Sequence, residues 1–346
     1  MPALVAKSLS LALLLAGCLF IPEHMEQSPP KIILDTDIGG DIDDLGALYA
    51  LHVYADRGLC SIEAVMSSWS MEHHVSGIDA VNTYFGRGDL PVGAYKNEEP
   101  FAKEEYTWHL ATNYPQDLSY DEAPDATSLY RQLLASSADT SITIVVTGRL
   151  SNLYYLFKST ADEHSDLSGL ELVGQKVKAC YIMGGRYPGD GGKEANFHWG
   201  GPGVSQYVIA NCPRPMIFNG GKIGHINEGY GTGSRINELP ASHLLRSGYQ
   251  YFFTNPPDWT GMESSAKVEP WSIWDIITVQ LAVTGVADYF TVVDQGYNEV
   301  DQVGVNYWRS EPDKEHSYVV PKMDPQQYAR EVIEPLLLTT PQHQRK

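Results

Sequence analysis

The sequence predicts a single large α/β domain with a mostly parallel sheet and helices on both of its faces. Short apolar runs that suit buried strands alternate with segments whose apolar residues recur at helical spacing, and this alternation is typical of parallel sheets. The polar turns DTD, TG, MGG and NGG each follow a predicted strand. Because ligands bind at the carboxyl ends of the strands in such Rossmann-like folds, these turns indicate a binding site at one edge of the sheet.

Each predicted element rests on the local pattern of apolar and polar residues. The run KIILDTD at 31–37 predicts a buried strand, whereas Leu45, Leu48 and Leu51 recur at helical spacing and predict a helix over 43–57. Residues 96–125 are rich in Tyr, Pro and acids and predict a long, partly helical excursion. The same criteria predict further strands at 61–69, 89–95, 141–148, 177–185, 213–221 and 318–323, and further helices at 75–85, 128–138, 271–283 and 324–338.

Composition limits the classes of function. The chain has 346 residues, of which 43% are hydrophobic, and this is enough for a sizeable core. Lys and Arg number 24 against 43 Asp and Glu, so the net charge is −19 and binding of nucleic acid through a basic face is excluded. An acidic surface instead favours solubility and attracts cations. The sequence leaves open whether the chain forms a homo-oligomer.

The N-terminus predicts export across the cytoplasmic membrane. Residues 1–17 place Lys7 before a short apolar stretch, as in a secretory signal peptide. The segment LAGC at 15–18 resembles a bacterial lipobox, which implies cleavage before Cys18, lipid on its thiol and an anchored protein that faces the periplasm or exterior. The alternative is an ordinary signal peptide in which Cys18 is incidental. We then expect a tether at 18–30, the folded domain at 31–340 and a disordered tail at 341–346.

Five carboxylates lie within ten residues, between the first predicted strand and the helix that follows it; they are Asp35, Asp37, Asp41, Asp43 and Asp44. Carboxylates this close repel one another, so they must share protons or bind a cation. A hard divalent ion is the natural partner, since calcium takes about six to eight oxygen ligands. The turn therefore predicts a metal site.

Two other acidic motifs fit this turn less well. An EF-hand loop that began at Asp35 would need oxygen ligands where the chain has Gly39 and Gly46, so that motif is excluded. A haloacid dehalogenase-type phosphatase also places Asp-x-Asp after its first strand, and the strand that ends in VVTG is similar to its second motif. However, Gly39 stands where that family usually has Thr or Val, and no late acidic pair follows a strand.

The turn DTDIGGDIDD resembles the N-terminal signature of the nucleoside hydrolase family. Blocks similar to further motifs of that family follow in the same order, and they are NTYFGRGDLPVG, VVTGRLSNL, MGG, EANF and a WD pair that opens a helix. Together these blocks extend over most of residues 31–335. The resemblance implies a nucleoside hydrolase fold and hydrolysis of the N-glycosidic bond of ribonucleosides. It also implies one calcium ion (Ca²⁺) as cofactor and an oxocarbenium-like transition state.

By motif position, the resemblance implies a role for most of the acidic residues. Asp37 is implied as the general base for a calcium-bound water, and Asp35 as a residue that braces the loop. Asp41 lies in a two-residue expansion of the family signature and has no implied role. The implied calcium ligands are Asp37, Asp44, Asp275 and the backbone carbonyl of Thr147. The implied ribose ligands are Asp43, Glu194 and Asn196.

Two departures from the family motifs concern the substrate. Trp274 stands where many members have a His that protonates the leaving base, and this resembles the purine-preferring branch, in which an indole stacks on the base. After the second strand, SSWSMEHH replaces the usual sugar-binding Asn or Asp, so we expect Ser70 to contact the sugar and Trp69 to form a second aromatic wall. Arg149 and Lys222 are unusual beside these loops. The candidates for a leaving-group acid are His109, His198 and His225.

The sequence therefore predicts a secreted, calcium-dependent hydrolase of small nucleosides that serves purine salvage outside the cytoplasm. The alternative from another class is a lipoprotein that binds calcium and ribose without turnover. The carboxylates of Asp37, Asp44 and Asp275 argue against that alternative, because a protein that only binds needs no base to activate water.

Replacing Cys18 by Ser is expected to leave the protein without lipid and to release it from membranes, because the thiol is the implied point of attachment. Membrane fractionation and labelling with a fatty-acid analogue measure this outcome. Cys212→Ser, which changes a thiol in the folded domain, is the control and should remain anchored. A fully soluble wild-type protein with an unmodified Cys18 would contradict the lipobox interpretation.

Overall fold

An eight-stranded sheet forms the centre of this computed structural model, which describes residues 28–311 and 314–344. The predicted signal peptide, the predicted lipidation site Cys18 and the tether up to residue 27 lie outside the described residues. The strands are β1 (Lys31–Thr36), β2 (Ser61–Ser67), β3 (Val92–Ala94), β4 (Ile142–Val146), β5 (Val177–Met183), β6 (Met216–Asn219), β7 (Phe290–Val293), β8 (Tyr297–Val300), β9 (Asn306–Arg309) and β10 (His316–Pro321).

Helices cover both faces of the sheet and much of its carboxyl edge. In the part of the chain that the structure describes, they are α1 (Asp43–Asp56), α2 (His74–Tyr84), α3 (Tyr106–Asn113), α4 (Ala126–Ser136), α5 (Ser151–Lys158), α6 (Gly169–Lys176), α7 (Ala195–His198), α8 (Val204–Asn211), α9 (Leu244–Thr254), α10 (Trp274–Thr284), α11 (Pro325–Tyr328) and α12 (Glu334–Leu337). Short 3₁₀ turns occur at Ile226–Glu228, Ser234–Glu238, Asp258–Thr260 and Gln342–Gln344, and a π-helical turn at Ala329–Ile333.

The strand order of the large sheet is β3-β2-β1-β4-β5-β6-β10-β7. Neighbouring strands are parallel except for β10 and β7, which are antiparallel, while β8 and β9 form a separate hairpin. The prediction of a single α/β domain with a mostly parallel sheet is confirmed. The chain moves outward from β1 to β3 and then returns as β4 on the other side of β1. The topological switch point, where ligands bind in such sheets, therefore lies between β1 and β4.

Two hydrophobic cores flank the sheet, because successive residues of a strand point to opposite faces. In β1, Ile32 and Leu34 belong to the core that also includes residues of α1, α9 and α10, whereas Ile33 belongs to the core with residues of α4, α5 and α6. All residues of β4, and all of β1 except Lys31, are buried. Burial on both faces explains why these strands appear as continuous apolar runs in the sequence. It also brings their carboxyl ends into the interior of the molecule.

Helices α1 and α10 pack closely, and Gly46 permits this approach. A Cβ atom at Gly46 would lie 2.6 Å from Cδ1 of Ile276 and 2.6 Å from the hydroxyl of Tyr249. Side chains do not approach this closely, so a larger residue would push the two helices apart. The consequence for the site is direct, because both helices begin with aspartates that meet at this crossing: Asp43 and Asp44 on α1, and Asp275 on α10.

The structure differs from the sequence prediction mainly in the part of the chain that follows β4. Helices α5 and α6, with eight residues each, are too short for a helical period to be clear, and they have no counterpart in the prediction. The helix predicted at 324–338 is interrupted by the π-helical turn, next to Pro335, which lacks the N–H that a continuous helix requires. Residues 342–344, predicted to be disordered, form a 3₁₀ turn in which the Gln342 amide donates to Asp56 at 2.7 Å. No helix of the described residues is long and apolar enough to cross a membrane.

Candidate active site

A cavity of about 740 Å³ opens at the carboxyl edge of the sheet, above the switch point between β1 and β4. Its floor comes from the turn after β1, the residue after β4 and the start of α10, and its walls from the loops after β2, β5 and β6. Most residues that the sequence assigns to catalysis, metal or substrate line this one cavity: Asp37, Asp43, Asp44, Thr147, Glu194, Asn196, Trp274 and Asp275. Ser70 is not among the lining residues.

Three buried aspartates converge in the floor of the cavity. One carboxylate oxygen from each of Asp43, Asp44 and Asp275 lies within 4.8 Å of the others. The Asp275 amide donates to Oδ2 of Asp43 at 3.1 Å, and the Thr36 hydroxyl donates to Oδ1 of Asp44 at 2.5 Å. All three acids lie in the first turns of α1 and α10, where the partial positive charge of a helix N-terminus favours carboxylates. The structure therefore groups Asp43, implied as a ribose ligand, with Asp44 and Asp275.

Asp37 and Asp41 flank this group in different ways. Asp37 lines the cavity and is 9% exposed. Asp41 accepts a hydrogen bond from the Trp271 indole at 2.6 Å, and its backbone carbonyl accepts one from the Tyr106 hydroxyl at 2.6 Å. The same Tyr106 oxygen accepts from the Gly39 amide at 2.8 Å. Asp41 thus fixes the acidic turn to the elements around it, which gives a structural role to a residue that sequence reasoning leaves without one.

Asp35 lies behind the turn and connects it to the rest of the molecule. Its carboxylate accepts hydrogen bonds from Tyr130 at 2.9 Å and from Asn152 at 3.0 Å. Its backbone carbonyl accepts one from the Thr147 amide at 2.8 Å, where β1 and β4 end side by side. These contacts are those of a residue that braces the loop, the role that the resemblance implies.

Burial and mutual repulsion raise the pKa values of these carboxyls. Burial, with the charge of neighbouring aspartates as a smaller contribution, raises the pKa of both Asp35 and Asp37 to about 7. The guanidinium of Arg149 opposes this rise in the pKa of Asp37. Burial and then neighbouring carboxylates also raise the pKa values of Asp43, Asp44 and Asp275 well above 3.8. Without a cation, these carboxyls therefore retain protons at a higher pH than free carboxyls do. Their all-oxygen donor set fits a hard divalent cation that would displace the protons.

Glu194 and Asn196 occupy the wall that follows β5. The Asn196 side-chain amide donates to the carbonyl of Thr147 at 3.1 Å and to that of Met183 at 3.3 Å, which joins the ends of β4 and β5. Glu194 caps α7 through a bond from the Phe197 amide to Oε2 at 3.1 Å, and burial raises the pKa of its carboxyl. The carbonyl of Thr147, implied as a metal ligand, therefore already accepts one hydrogen bond and keeps a second lone pair.

The wall that follows β2 differs from the expectation for Ser70. The Ser70 hydroxyl donates to the carbonyl of Tyr95 at 3.0 Å and is buried behind the cavity. Its neighbours Trp69 and Met71 face the cavity instead, and the Met71 amide donates to the Trp69 carbonyl at 3.0 Å in a tight turn around Ser70. A role for Ser70 in binding substrate stays a prediction that this hydrogen bond does not favour.

Arg149 supports the Trp69 wall from inside the protein. Its guanidinium carbon lies 4.3 Å from the Trp69 ring centroid and 5.3 Å from that of Tyr95, and its Nη2 donates to the Ser68 carbonyl at 2.7 Å. The side chain is 4% exposed, so it contacts the wall without lining the cavity. Lys222, the other unusual cation of the sequence, is exposed at the cavity rim.

His74 and Glu105 line the cavity but were not selected by sequence reasoning. Nε2 of His74 lies 3.5 Å from Oε2 of Glu105, and the amino group of Lys103 lies 2.5 Å from Oε1 of the same Glu105. Burial lowers the pKa of His74. The signal in the sequence was the pair of histidines at the end of SSWSMEHH, directly where α2 begins.

A model of the family described as inosine-uridine preferring nucleoside hydrolase matches residues 32–329, most of the chain. The chain belongs to this family. It is an enzyme, a nucleoside N-ribohydrolase that acts on small-molecule nucleosides. Because the matched residues include the acidic turn, the match excludes the phosphatase interpretation of that turn. Curated protein sequences contain no match to the chain.

Solved structures of other proteins have the same fold as this hydrolase. A plant nucleoside hydrolase has a TM-score of 0.62 at 18% identity, over 89% of this chain and 99% of the other. An inosine-uridine preferring nucleoside hydrolase from Bacillus anthracis has a TM-score of 0.62 at 16% identity, over 89% and 99%. A purine-preferring ribonucleoside hydrolase from Gardnerella vaginalis has a TM-score of 0.60 at 14% identity, over 89% and 98%. Identities this low support the fold alone.

Calcium is expected to stabilise the hydrolase more at about pH 7.5 than at about pH 5. The folded-state pKa values of Asp35, Asp37 and Asp41 are raised from 3.8 to about 7, 7 and 6. Between about pH 5 and about pH 7.5, the folded state therefore binds more protons than the unfolded state. The metal-free protein therefore loses stability as pH rises through this range. A bound cation replaces the protons, and we expect a gain in Tm of about 5 °C at the higher pH.

Thermal unfolding with a chelator and with millimolar calcium measures this difference at both pH values. Sodium chloride at equal ionic strength is the control, because it screens charge without binding the carboxylates. Equal calcium effects at both pH values, or none, would show that the carboxylates carry no extra protons that a cation displaces.

Proposed function

We propose that this nucleoside hydrolase uses calcium and prefers purine ribonucleosides, from which it releases nucleobase and ribose. The observation that carries the proposal is one cavity that has the buried Asp43, Asp44 and Asp275 cluster in its floor and Trp274 in its wall. The first feature suits a cation that holds a ribose, and the second suits a flat aromatic base. Asp275 directly follows Trp274 in α10, so the two subsites lie side by side.

The donor set supports calcium at the floor of the cavity. Asp43, Asp44 and Asp275 would hold the ion, with Asp37 and the Thr147 carbonyl as the further ligands that the family motif implies. Calcium takes about six to eight oxygen ligands, so water and ribose hydroxyls would complete its coordination. When bound, the cation supplies Lewis acidity that lowers the pKa of water and neutralises the buried carboxylates.

The protein's own residues activate the attacking water and bind the sugar. Asp37 accepts a proton from the water as it attacks C1′, because its carboxylate lines the cavity beside the clustered aspartates. Glu194 and Asn196 bind ribose hydroxyls from the wall that follows β5. The surrounding carboxylates stabilise the positive charge that develops on the ribose ring as its bond to the base breaks.

Trp274 supports the preference for purines. Its indole N–H donates to the Gly221 carbonyl at 2.8 Å, so the ring is held in one orientation at the cavity wall. An aromatic face stacks better on the larger purine ring than on a pyrimidine. With the lipobox of Cys18, we further propose that the enzyme acts outside the cytoplasm as an anchored lipoprotein that salvages purines.

Base release from inosine, guanosine, adenosine, uridine and cytidine, with and without a chelator, tests this function. We expect turnover only with calcium, and highest kcat/KM on purine nucleosides. Asp44→Asn should bind no calcium and lose at least about 100-fold in activity, since even residues that only orient metal ligands cost 10–100-fold when changed. The amide keeps an acceptor for the Thr36 hydroxyl and removes a repelled charge. The variant should therefore be more stable than wild type in chelator.

Asp139→Asn, at an exposed ion pair with Lys176, is the matched control and should behave as wild type. Full activity of the metal-stripped enzyme would contradict the role of calcium. If the protein bound ribose and calcium tightly but turned over no nucleoside, the alternative of a lipoprotein that only binds these ligands would be correct.

Trp274→Ala should lower kcat/KM on inosine and guanosine by about 10- to 100-fold, since stacking on a base contributes about 1–3 kcal/mol. Uridine turnover should fall far less, because its smaller ring gains less from stacking. Calcium affinity should be kept, because Asp275 is unchanged. Steady-state kinetics and calcium titration measure both effects.

Trp108→Ala is the control for loss of a half-buried indole outside the cavity. Equal losses on purine and pyrimidine nucleosides, or a weaker calcium site, would assign Trp274 to packing and remove the support for purine preference.

A further inference from the structure

We propose that His225 is the residue that stabilises the leaving base, through a hydrogen bond from its Nε2–H. The inference rests on the proposed hydrolysis and adds a catalytic residue to it. The single N–H of the Trp274 indole donates to the Gly221 carbonyl, so a donor for the negative charge that develops on the base has to come from a neighbouring side chain. His225 lines the same cavity and packs edge-to-face against Trp274, with ring centroids 5.4 Å apart.

The other histidines near these loops are engaged elsewhere. His109 donates to or accepts from the Ser247 hydroxyl at 2.8 Å and stacks on Tyr251, away from the cavity. Nδ1 of His198 donates to the carbonyl of Val303 at 3.0 Å, and this residue does not line the cavity. His74 does line it, but the ring is 2% exposed and its Nε2 faces Glu105. His225 is half-buried and belongs to the base side of the cavity.

Three hydrogen bonds fix the loop of His225 to the start of α10. The Ile226 amide donates to the Ser272 hydroxyl at 3.0 Å, and the Ile273 amide donates to the Gly224 carbonyl at 2.8 Å. The third is the bond from the Trp274 indole to the Gly221 carbonyl.

Gly224 allows this contact, because its φ is +111° and a Cβ there would lie 2.6 Å from the Cα of Trp274. His225 is therefore held beside the indole in a defined position, as a residue that acts on a stacked base must be.

The hydrogen bonds of the imidazole also determine which nitrogen can donate. Nδ1 of His225 accepts a hydrogen bond from the Asn227 amide at 3.0 Å. A nitrogen that accepts has no proton, so the neutral ring carries its hydrogen on Nε2. No hydrogen bond within the described part of the chain uses Nε2, and that N–H is free for a ligand. A neutral imidazole held in this way is a donor that polarises its partner without giving up its proton.

The step balances with one water molecule. The bond between C1′ and the base nitrogen breaks, and its electron pair goes to the base. The Nε2–H of His225 donates a hydrogen bond to an acceptor on the departing base while the negative charge develops there. Water provides hydroxyl to C1′, Asp37 takes the remaining proton and releases it to solvent, and the base takes up a proton from solvent. His225 ends the step in the state in which it began.

Paired substrates test the assignment. His225→Ala is expected to lower kcat on inosine by about 100-fold, a typical cost of removing one donor to a developing anion. The same variant should keep wild-type kcat within about threefold on 4-nitrophenyl β-D-ribofuranoside, because nitrophenolate is stable as an anion and needs no donor. His225→Gln, whose Nε2 can reach a similar position, should recover at least about tenfold of the loss on inosine.

His198→Ala is the matched control for an imidazole outside the cavity and should leave both rates unchanged. Thermal unfolding of each variant reports whether the fold is intact. Equal losses on inosine and on the nitrophenyl riboside, or no loss on inosine, would overturn the assignment of His225. A wild-type enzyme that cleaves neither substrate would instead contradict the proposed hydrolysis, so the two failures are distinct.

Discussion

Burying several carboxylates together raises the free energy of a folded chain, since each loses its hydration and each repels the others. In this hydrolase the free-energy cost arises in the floor of the cavity, where carboxylate oxygens of Asp43, Asp44 and Asp275 lie within 4.8 Å of one another. The groups that contact these three acids are hydrogen-bond donors rather than cationic side chains. A hydroxyl, a backbone amide and two helix N-termini face the three acids. They orient the carboxylates and leave their net charge for a metal ion.

The geometry of this floor depends on helix packing more than on the acidic turn itself. Asp43 and Asp44 belong to α1 and Asp275 to α10, and the two helices meet closely because Gly46 has no side chain. Asp35 and Asp41 hold the turn in place through Tyr130, Asn152 and Trp271. The site is therefore built on rigid elements on both sides, and a change at the helix crossing would move one of the three clustered carboxylates without touching it.

The parts of the fold and site that the sequence predicts well have short-range signals. Strand β1 is a continuous apolar run because it is buried on both faces, and the acidic turn comes directly after it. Contacts between distant elements were expected only where the family resemblance implies them, as for Asp44 and Asp275, and the others were not predicted. Asp43 joins Asp275 only because α10 crosses α1 there. Ser70 turns inward because Tyr95 offers a carbonyl, and His74 reaches the cavity because α2 begins beside it.

The hydrogen bonds between residues 221–226 and 272–274 have a consequence for how the enzyme accepts its substrate. Each net bond contributes about 0.5–1.5 kcal/mol, so displacing this wall would cost several of them at once. The wall that contains Trp274 is thus preorganised, and a base that stacked on it would bind without the free-energy cost of ordering a loop.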